Sequence, residues 1–465
     1  MTQFDAVVIG GGPAGLSAAA LLAARGAATL LLDEHEAPGG QIYRGIERAT
    51  PGQLAALGPD YAAGAALVRR FRASGATYWP GAAAWHLTPD RHVWVSRGGH
   101  TDTVSAPVLV LATGAQERPV PLPGWTLPGV MTCGALQILL KSGGVVAEGA
   151  VLAGSGPLLY LIAAQAIAAG ARPAAVVDTT RCGAACRGLR HLGAALASRP
   201  GRASLGKGIM MQAAIRAAGV PWYHGCTDLV IEGAAQVEAL SFTTHGRRLR
   251  LPARVVALHE GVIPAQQLTR ELGLEHAWDP VQACFRPVVD GWGNSSAEGI
   301  LVAGDGAGIA GALAAGHAGR IAAAAALCRL GRIDAAARDA LAVPDRRGLA
   351  AQRAIRPMLD AMYPPPAWAL TPPDEVVVCR CESITAGEVR AAVAQGCLGP
   401  NQVKAFLRSG MGPCQGRMCG PVVAQIIAAA RGVAPGEVGY MHVRPPLKPI
   451  SVGELAGLAE APAEA

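Results

Sequence analysis

Apolar residues in this chain come in short runs that end at glycine turns. Phe4–Ile9 is the first run, Gly10-Gly11-Gly12-Pro13-Ala14-Gly15 is the turn, and Leu16–Arg25 has the pattern of a helix. A second apolar run, Ala28–Leu32, ends at Asp33-Glu34. Strand, turn, helix and strand make a βαβ unit. The pattern returns at Gly149–Ala153, Gly154-Ser155-Gly156-Pro157, Leu158–Ala169 and Pro173–Val177, which ends at Asp178. Two such starts about 140 residues apart predict two nucleotide-fold domains. The rhythm stops after Ala350. Met358–Pro373 contains Tyr363-Pro364-Pro365-Pro366 and Thr371-Pro372-Pro373, a proline density that predicts an extended linker. A cysteine-bearing segment follows. In it, Thr385–Gln395 reads as a helix with Thr385 and Glu388 forming a capping box, and Asn401–Ser409 as another.

These elements predict an α/β protein of two Rossmann-like domains with a small, mostly helical C-terminal module. The expected boundaries are 1–120 with 258–345 for a discontinuous first nucleotide domain and 121–257 for the second. A linker over 346–374, the cysteine module over 375–443 and an arm or tail over 444–465 complete the chain. At 465 residues, with 51% hydrophobic positions, it has ample material for several cores. Aromatics are 4% and Gly counts 60, which suits backbones that approach nucleotides closely and not a stacking platform for nucleic acid. Net charge is +7, without a long basic block. The start, Met1-Thr2-Gln3, has no signal-peptide pattern, and the long apolar stretches Val145–Gly170 and Gly306–Leu330 are broken by Glu148, His317 and Arg320. Eleven Cys, an odd number, fit a reducing compartment, so a cytoplasmic protein without a transmembrane segment is expected.

In Gly10-x-Gly12-x-x-Gly15 the first glycine makes the tight turn, the second admits a pyrophosphate and the third lets helix pack on strand. Asp33, 23 residues after Gly10, is placed to accept ribose hydroxyls, with Glu34 as its alternate. The second motif keeps Gly154, Gly156 and the acid Asp178 but has Leu159 in place of the third glycine. It leaves three readings open: an NAD(P)H site, a site for another adenine nucleotide such as ATP, or a packing domain. Cys379-x-Cys381 and Cys414-x4-Cys419 form a four-thiolate constellation. Zinc or a [2Fe–2S] cluster could use it. The tight C-x-C pair suits zinc poorly, and Gly410, Gly412, Gly416 and Gly420 favour iron–sulfur. Of the other cysteines, Cys182 and Cys186 are the one close pair, and no dithiol chemistry is expected of them. His259 and His317 read as hydrogen-bonded structural residues, and no residue is assigned a catalytic role.

Four segments carry a resemblance. Val108–Gly114, with Ala112-Thr113-Gly114, and Gly299–Gly306, with Gly304-Asp305, resemble strands of two-dinucleotide, glutathione-reductase-like flavoproteins. Gly39-Gly40-Gln41-Ile42-Tyr43-Arg44 resembles the loop under the flavin in amine-oxidising relatives, and Cys379–Gly420 resembles the bacterioferritin-associated-ferredoxin-like [2Fe–2S] domain. Together, from Val7 to about Val443, they resemble the α (A-type) subunits of octopine and nopaline oxidases and of the hydrogen cyanide synthase and D-hydroxyproline dehydrogenase complexes. The resemblance implies FAD, held by Gly10, Gly12, Pro13, Ala14, Gly15, Asp33, Gly40, Gln41, Arg44, Ala112, Thr113, Gly114, Gly304 and Asp305. It implies a [2Fe–2S] cluster on Cys379, Cys381, Cys414 and Cys419. It further implies a partner flavoprotein of the D-amino-acid-oxidase or glycine-oxidase kind and a small ferredoxin-like subunit. Electron transfer would run to an acceptor, a quinone at a membrane surface among them. The competing expectations are a self-sufficient NAD(P)H-dependent reductase and a docking or scaffold subunit.

Overall fold

A computed structural model describes residues 2–460. The two βαβ starts become two lobes of one design. In the first, strands Ile300–Val302, Val108–Leu111, Ala6–Ile9, Thr29–Leu32 and Thr77–Trp79 lie in that spatial order, all parallel. Alternation sorts their side chains. Ala6 and Val8 face a core shared with helices Pro13–Ala24 and Ala312–Arg329, while Val7 and Ile9 face an antiparallel sheet that contributes Leu87, Val93, Val95 and Val104. In the second lobe the order is Val130–Thr132, Val256–Glu260, Val151–Ser155, Ala175–Asp178 and Trp222–Tyr223, again parallel. Helices Pro157–Ala168 and Arg199–Ala217 cover one face, and the meander Thr227–Glu232, Ala239–Thr244 and Arg247–Pro252 covers the other. Short antiparallel strands Ala115–Glu117 and Val262–Pro264 cross between the lobes. Strand Val256–Glu260 therefore belongs wholly to the second sheet, and the chain returns to the first lobe after it, later than a boundary at 258 implies.

The segment expected to be an extended linker is largely helical. Ala335–Arg353 runs through Pro344, and Arg356–Met362 and Ala367–Leu370 follow. Pro357 stands in the first turn of its helix and Pro366 is the N-cap of the next, positions where a missing N–H costs nothing. Proline here starts helices instead of preventing them. Among the described residues the cysteine module holds four helices, Ala386–Ala394, Pro400–Leu407, Gly420–Arg431 and the short Pro435–Val438, with a two-stranded ribbon. Thr385 and Glu388 close the expected capping box. The module's core of Val389, Val403, Val423 and Ile427 also takes in Phe285 from the first lobe.

The C-terminal arm returns over the first lobe. Val443 and Leu447 join its core, and Leu447 N donates to Trp85 O. Helix Val452–Ala456 is held by Glu454, which accepts from Ser96 and Thr101. The last five residues of the expected tail lie outside the described residues. Among the described residues no helix is long and apolar enough to cross a membrane.

Candidate functional site

The first glycine turn is as tight as the sequence requires. Gly10 has φ +111°, and a Cβ there would lie 2.4 Å from Ala112 O. A Cβ on Gly15 would lie 1.9 Å from Gly10 O, so helix and strand touch backbone to backbone. Gly12 differs: its Cβ would meet only Gly40 Cα, at 3.9 Å, leaving the open mouth a pyrophosphate needs. Pro13 begins the helix, and Ala14 packs under Gly304, whose Cβ would lie 2.7 Å from Ala14 Cβ. Thr113 Oγ1 donates to Ala265 O at 3.2 Å, and Gly114 O accepts from Ala265 N. Asp305 is half-buried, and its Oδ1 accepts from the N–H groups of Ala310 and Gly311, ordering the loop before helix Ala312–Arg329.

Asp33 lies directly under this turn. A Cβ on Gly11 would come within 1.9 Å of Asp33 Oδ2. Asp33 Oδ1 accepts from His35 N at 3.1 Å, while Oδ2 is buried with no hydrogen-bond partner. A buried carboxylate oxygen without a donor is costly, and a ribose hydroxyl would satisfy it. Burial pushes the Asp33 carboxyl up to about 6, against the opposing pull of the His35 N–H, Arg44 and Lys448. Glu34, the alternate acid, is exposed and pairs with Lys448 of the C-terminal arm.

The loop after Asp33 closes over the turn. Gly39 N donates to Gly11 O at 2.8 Å, and Gly40, at φ +58°, sits on Gly12. Arg44 donates to Gln41 Oε1 at 3.0 Å and to His35 Nε2 at 2.6 Å. Lys141, only 4% exposed, donates to Gln41 O at 3.0 Å and to Gln137 Oε1 at 2.7 Å. Burial and then Arg44 lower its amine to about 7. Sequence reasoning missed Lys141, because a lysine in Cys133–Gly143 carries no local signal that its helix dips under the loop.

A pH prediction follows from Asp33. Its folded pKa lies above the unfolded one, so in the FAD-free chain its ionisation opposes folding. That penalty is absent below pH 4, grows from about pH 4 to 6 and levels at about 3 kcal/mol above it. Asp33→Asn is expected to raise the melting temperature of the FAD-free chain at pH 7.5 and leave it unchanged at pH 4. The same change is expected to weaken FAD binding about tenfold by losing the ribose acceptor. Calorimetry at the two pH values, with a flavin titration, checks both.

The second turn keeps its shape. A Cβ on Gly154 would lie 1.8 Å from His259 O, and Gly156, at φ +99°, is the N-cap of helix Pro157–Ala168. Leu159, in the place of a third glycine, is fully buried in a core with Leu152 and Ile162. Asp178 ends the adjacent strand and is buried. Both histidines singled out in the sequence are hydrogen-bonded to carboxylates. His259 Nδ1 lies 2.7 Å from Glu117 Oε1, and His317 Nδ1 lies 2.7 Å from Asp345 Oδ1.

The four cysteines of the C-terminal module come together in one place. Cys379 and Cys419 are buried, Cys414 is half-buried and Cys381 is exposed. Side-chain hydrogen bonds join Cys379 with Cys419 and Cys381 with Cys414. The bond from Cys419, helped by backbone N–H groups including that of Gly410, pulls the Cys379 thiol down to about 6. Ser409 Oγ donates to Cys419 Sγ at 3.9 Å. A [2Fe–2S] cluster takes four thiolates, two on each iron, and four cysteines in two pairs are present here. The glycines leave room here: a Cβ on Gly412 would strike Cys381 Cβ at 2.2 Å, and Cβ atoms on Gly410 and Gly416 would each strike Met441 Sδ at 2.3 Å. The cluster module is tied to the strands between the lobes. Gln116 Nε2 donates to Arg417 O at 2.8 Å, and Trp125 Nε1 to Val377 O at 2.7 Å. Arg270 of the first lobe lies over the rings of Phe285 and Tyr440.

Residues 4–326 match the pyridine nucleotide-disulphide oxidoreductase family, and residues 377–429 match the BFD-like [2Fe-2S] binding domain. With the glycine turn and the thiol pairs, these define an oxidoreductase of the flavin and iron–sulfur class, carrying FAD and a [2Fe–2S] cluster. The chain is 47% identical to the A-type subunit of opine oxidase from Rhizobium meliloti (strain 1021), across 99% of this chain and 100% of that one. It therefore belongs to the family of A-type opine oxidase subunits, and it is a flavin and [2Fe–2S] subunit of a multi-subunit amino-acid oxidase. It is also 33% identical to hydrogen cyanide synthase subunit HcnB of Pseudomonas aeruginosa, across 96% of each chain. Among solved structures, L-proline dehydrogenase from P. horikoshii shares the fold, with TM-score 0.69 and 18% identity over 98% of this chain and 79% of that one.

Proposed function

We propose that this chain is the electron-relaying subunit of a heteromeric cytoplasmic complex that oxidises the C–N bond of an opine, amino acid or imino acid. A partner flavoprotein of the D-amino-acid-oxidase or glycine-oxidase kind takes two electrons and two protons from the amine, leaving an imine that water hydrolyses. The electrons reach an acceptor by way of this chain, and a small ferredoxin-like subunit is a further partner. Bound FAD exchanges electrons in pairs or singly and the cluster one at a time, which lets a two-electron donor serve a one-electron path.

The observation that carries this reading is the seating of the cysteine loop. Gln116, two residues beyond Gly114, bonds the backbone of Arg417 inside the Cys414–Cys419 loop. The strand that follows the Ala112–Gly114 segment assigned to FAD is thus hydrogen-bonded to the loop that carries two of the assigned cluster ligands. Gly10, Gly12 and the helix dipole hold the pyrophosphate in this reading, Asp33 accepts the ribose hydroxyls, and the Gly39–Arg44 loop covers the turn. Cys379, Cys381, Cys414 and Cys419 hold the iron.

An anaerobic titration tests it. The isolated chain is expected to show flavin bands with a broad iron–sulfur shoulder, and an opine or imino acid is expected to bleach them only after the partner flavoprotein is added. Bleaching of the isolated chain by the amine would make this chain the amine oxidase itself and overturn the reading.

A further inference from the structure

We propose that the second nucleotide fold takes no dinucleotide, and that its cleft is the seat on which the chain's own segment 356–370 mounts the cluster domain. In open α/β sheets ligands bind beyond the carboxyl ends of the strands, between the glycine turn and the acid of the next strand. Here each of those positions already has an occupant from the chain.

Asp178, where a ribose would bind, is 3% exposed and engaged by side chains. Its Oδ2 accepts from Tyr160 OH at 2.7 Å and from Trp222 Nε1 at 3.3 Å, and His224 Nδ1 lies 3.7 Å away. Its Oδ1 accepts from Thr180 N. Glu260 fills the space across the strand ends. It pairs in register with Ser155 of the glycine turn, accepts from Ser155 Oγ at 2.7 Å and from Thr179 Oγ1 at 2.6 Å, and is 2% exposed. A carboxyl group there occupies both hydroxyls and, when ionised, repels a pyrophosphate. Burial pushes this carboxyl up to about 7.

The mouth is closed by Tyr363. A Cβ on Gly156 would lie 4.0 Å from the Tyr363 ring, which meets Tyr160 edge-on with centroids 6.4 Å apart. The helix before Tyr363 is anchored to the second lobe. Arg187 Nε donates to Ala361 O at 3.1 Å, Met362 packs against Gly188, and Met358 and Ile355 share a core with Ala195. The helix after it carries Ala369, fully buried with Val177, Phe242 and Val376 in the core under the meander. The chain then enters the cluster module, where Arg390 holds Pro372 O and Asp374. The cleft that a reductase would keep open for its reductant is thus packed like a domain core, and what it fixes is the position of the iron–sulfur module.

Two measurements on the full FAD-replete chain test this, neither needing a partner protein, so their outcome is separable from that of the relay reading. First, calorimetric titration with NADH and, separately, ATP is expected to show no saturable binding up to about 1 mM, and NADH is expected to leave the flavin bands unbleached. Saturable binding of either nucleotide below about 1 mM overturns the proposal. Second, Gly188→Cys with Met362→Cys, on a Cys182→Ser, Cys186→Ser background and with oxidised glutathione as oxidant, is expected to form its disulfide completely and at the same rate with or without about 1 mM NADH. Slowing by NADH of more than about threefold would mean that the nucleotide displaces the segment, and overturns it.

Discussion

Cys419→Ser is expected to abolish the iron–sulfur cluster while leaving FAD in place. Cys419 is fully buried, precedes helix Gly420–Arg431 and bonds Cys379. Serine nearly keeps the volume but is a poor ligand for iron, so the effect reads as chemistry and not as a packing loss. The broad visible shoulder and the paramagnetic signal of the reduced protein should vanish, and iron content should fall to background. The flavin bands should persist, because Gly10–Gly15 and Asp33 belong to a different lobe from this loop. The module should also melt earlier. With the proposed ligands, the cluster would tie Cys379–Cys381 to Cys414–Cys419 across 32 intervening residues, a cross-link of a span that a disulfide would make worth about 3–4 kcal/mol. Retained iron with full absorbance would remove Cys419 from the ligand set.

The mutually supporting parts of this fold were legible because each has a local cause. Gly10, Gly12 and Gly15 announce a turn whose geometry no side chain tolerates, and Asp33 follows at the distance one βαβ unit imposes. The four cysteines need only their spacing to be recognised as a group. What stayed hidden depends on partners far along the chain. Glu260 ends an apolar strand, and nothing near it says that Ser155, 105 residues earlier, will bond it. Nothing near Glu34 says that Lys448 of the distant arm will pair with it. The prolines mislead for another reason: their effect depends on position within a helix, and Pro357 and Pro366 stand at helix starts. Density alone could not distinguish a linker from a set of short helices docked on the second lobe.

The two lobes share an architecture but have diverged in use, and the divergence lies in few residues. Both keep a parallel sheet, a glycine turn and an acid ending the second strand. In the first, the acid's Oδ2 is left without a partner beside an open Gly12. In the second, Tyr160 and Trp222 engage the acid and Tyr363 stands over Gly156. An unsatisfied buried oxygen is tolerated where a ligand completes it, whereas a satisfied one marks a site already filled.

The first glycine turn supplies the second large effect, as a contrast between neighbouring glycines. Gly15→Ala is expected to destabilise the chain by about 3 kcal/mol or more and to prevent FAD retention. The new Cβ would lie 1.9 Å from Gly10 O and 3.3 Å from Ala112 Cβ, and neither a backbone carbonyl nor a core strand can swing aside. Helix Pro13–Ala24 would have to lift from the sheet, breaking the core that Leu16, Ala19 and Leu22 share with Val8 and Val110. Gly12→Ala is expected to do the opposite. Gly12 has φ −82° and open space around its Cβ, so the chain should fold with stability changed by about 0.5 kcal/mol or less. The methyl would instead stand where the pyrophosphate approaches and weaken FAD binding by about 100-fold, or about 2.8 kcal/mol. Thermal melting of the two FAD-free variants and flavin titration of each separate the effects. Equal stability loss in both would mean that Gly12 is a packing residue and that the mouth of the turn is not where the anion binds.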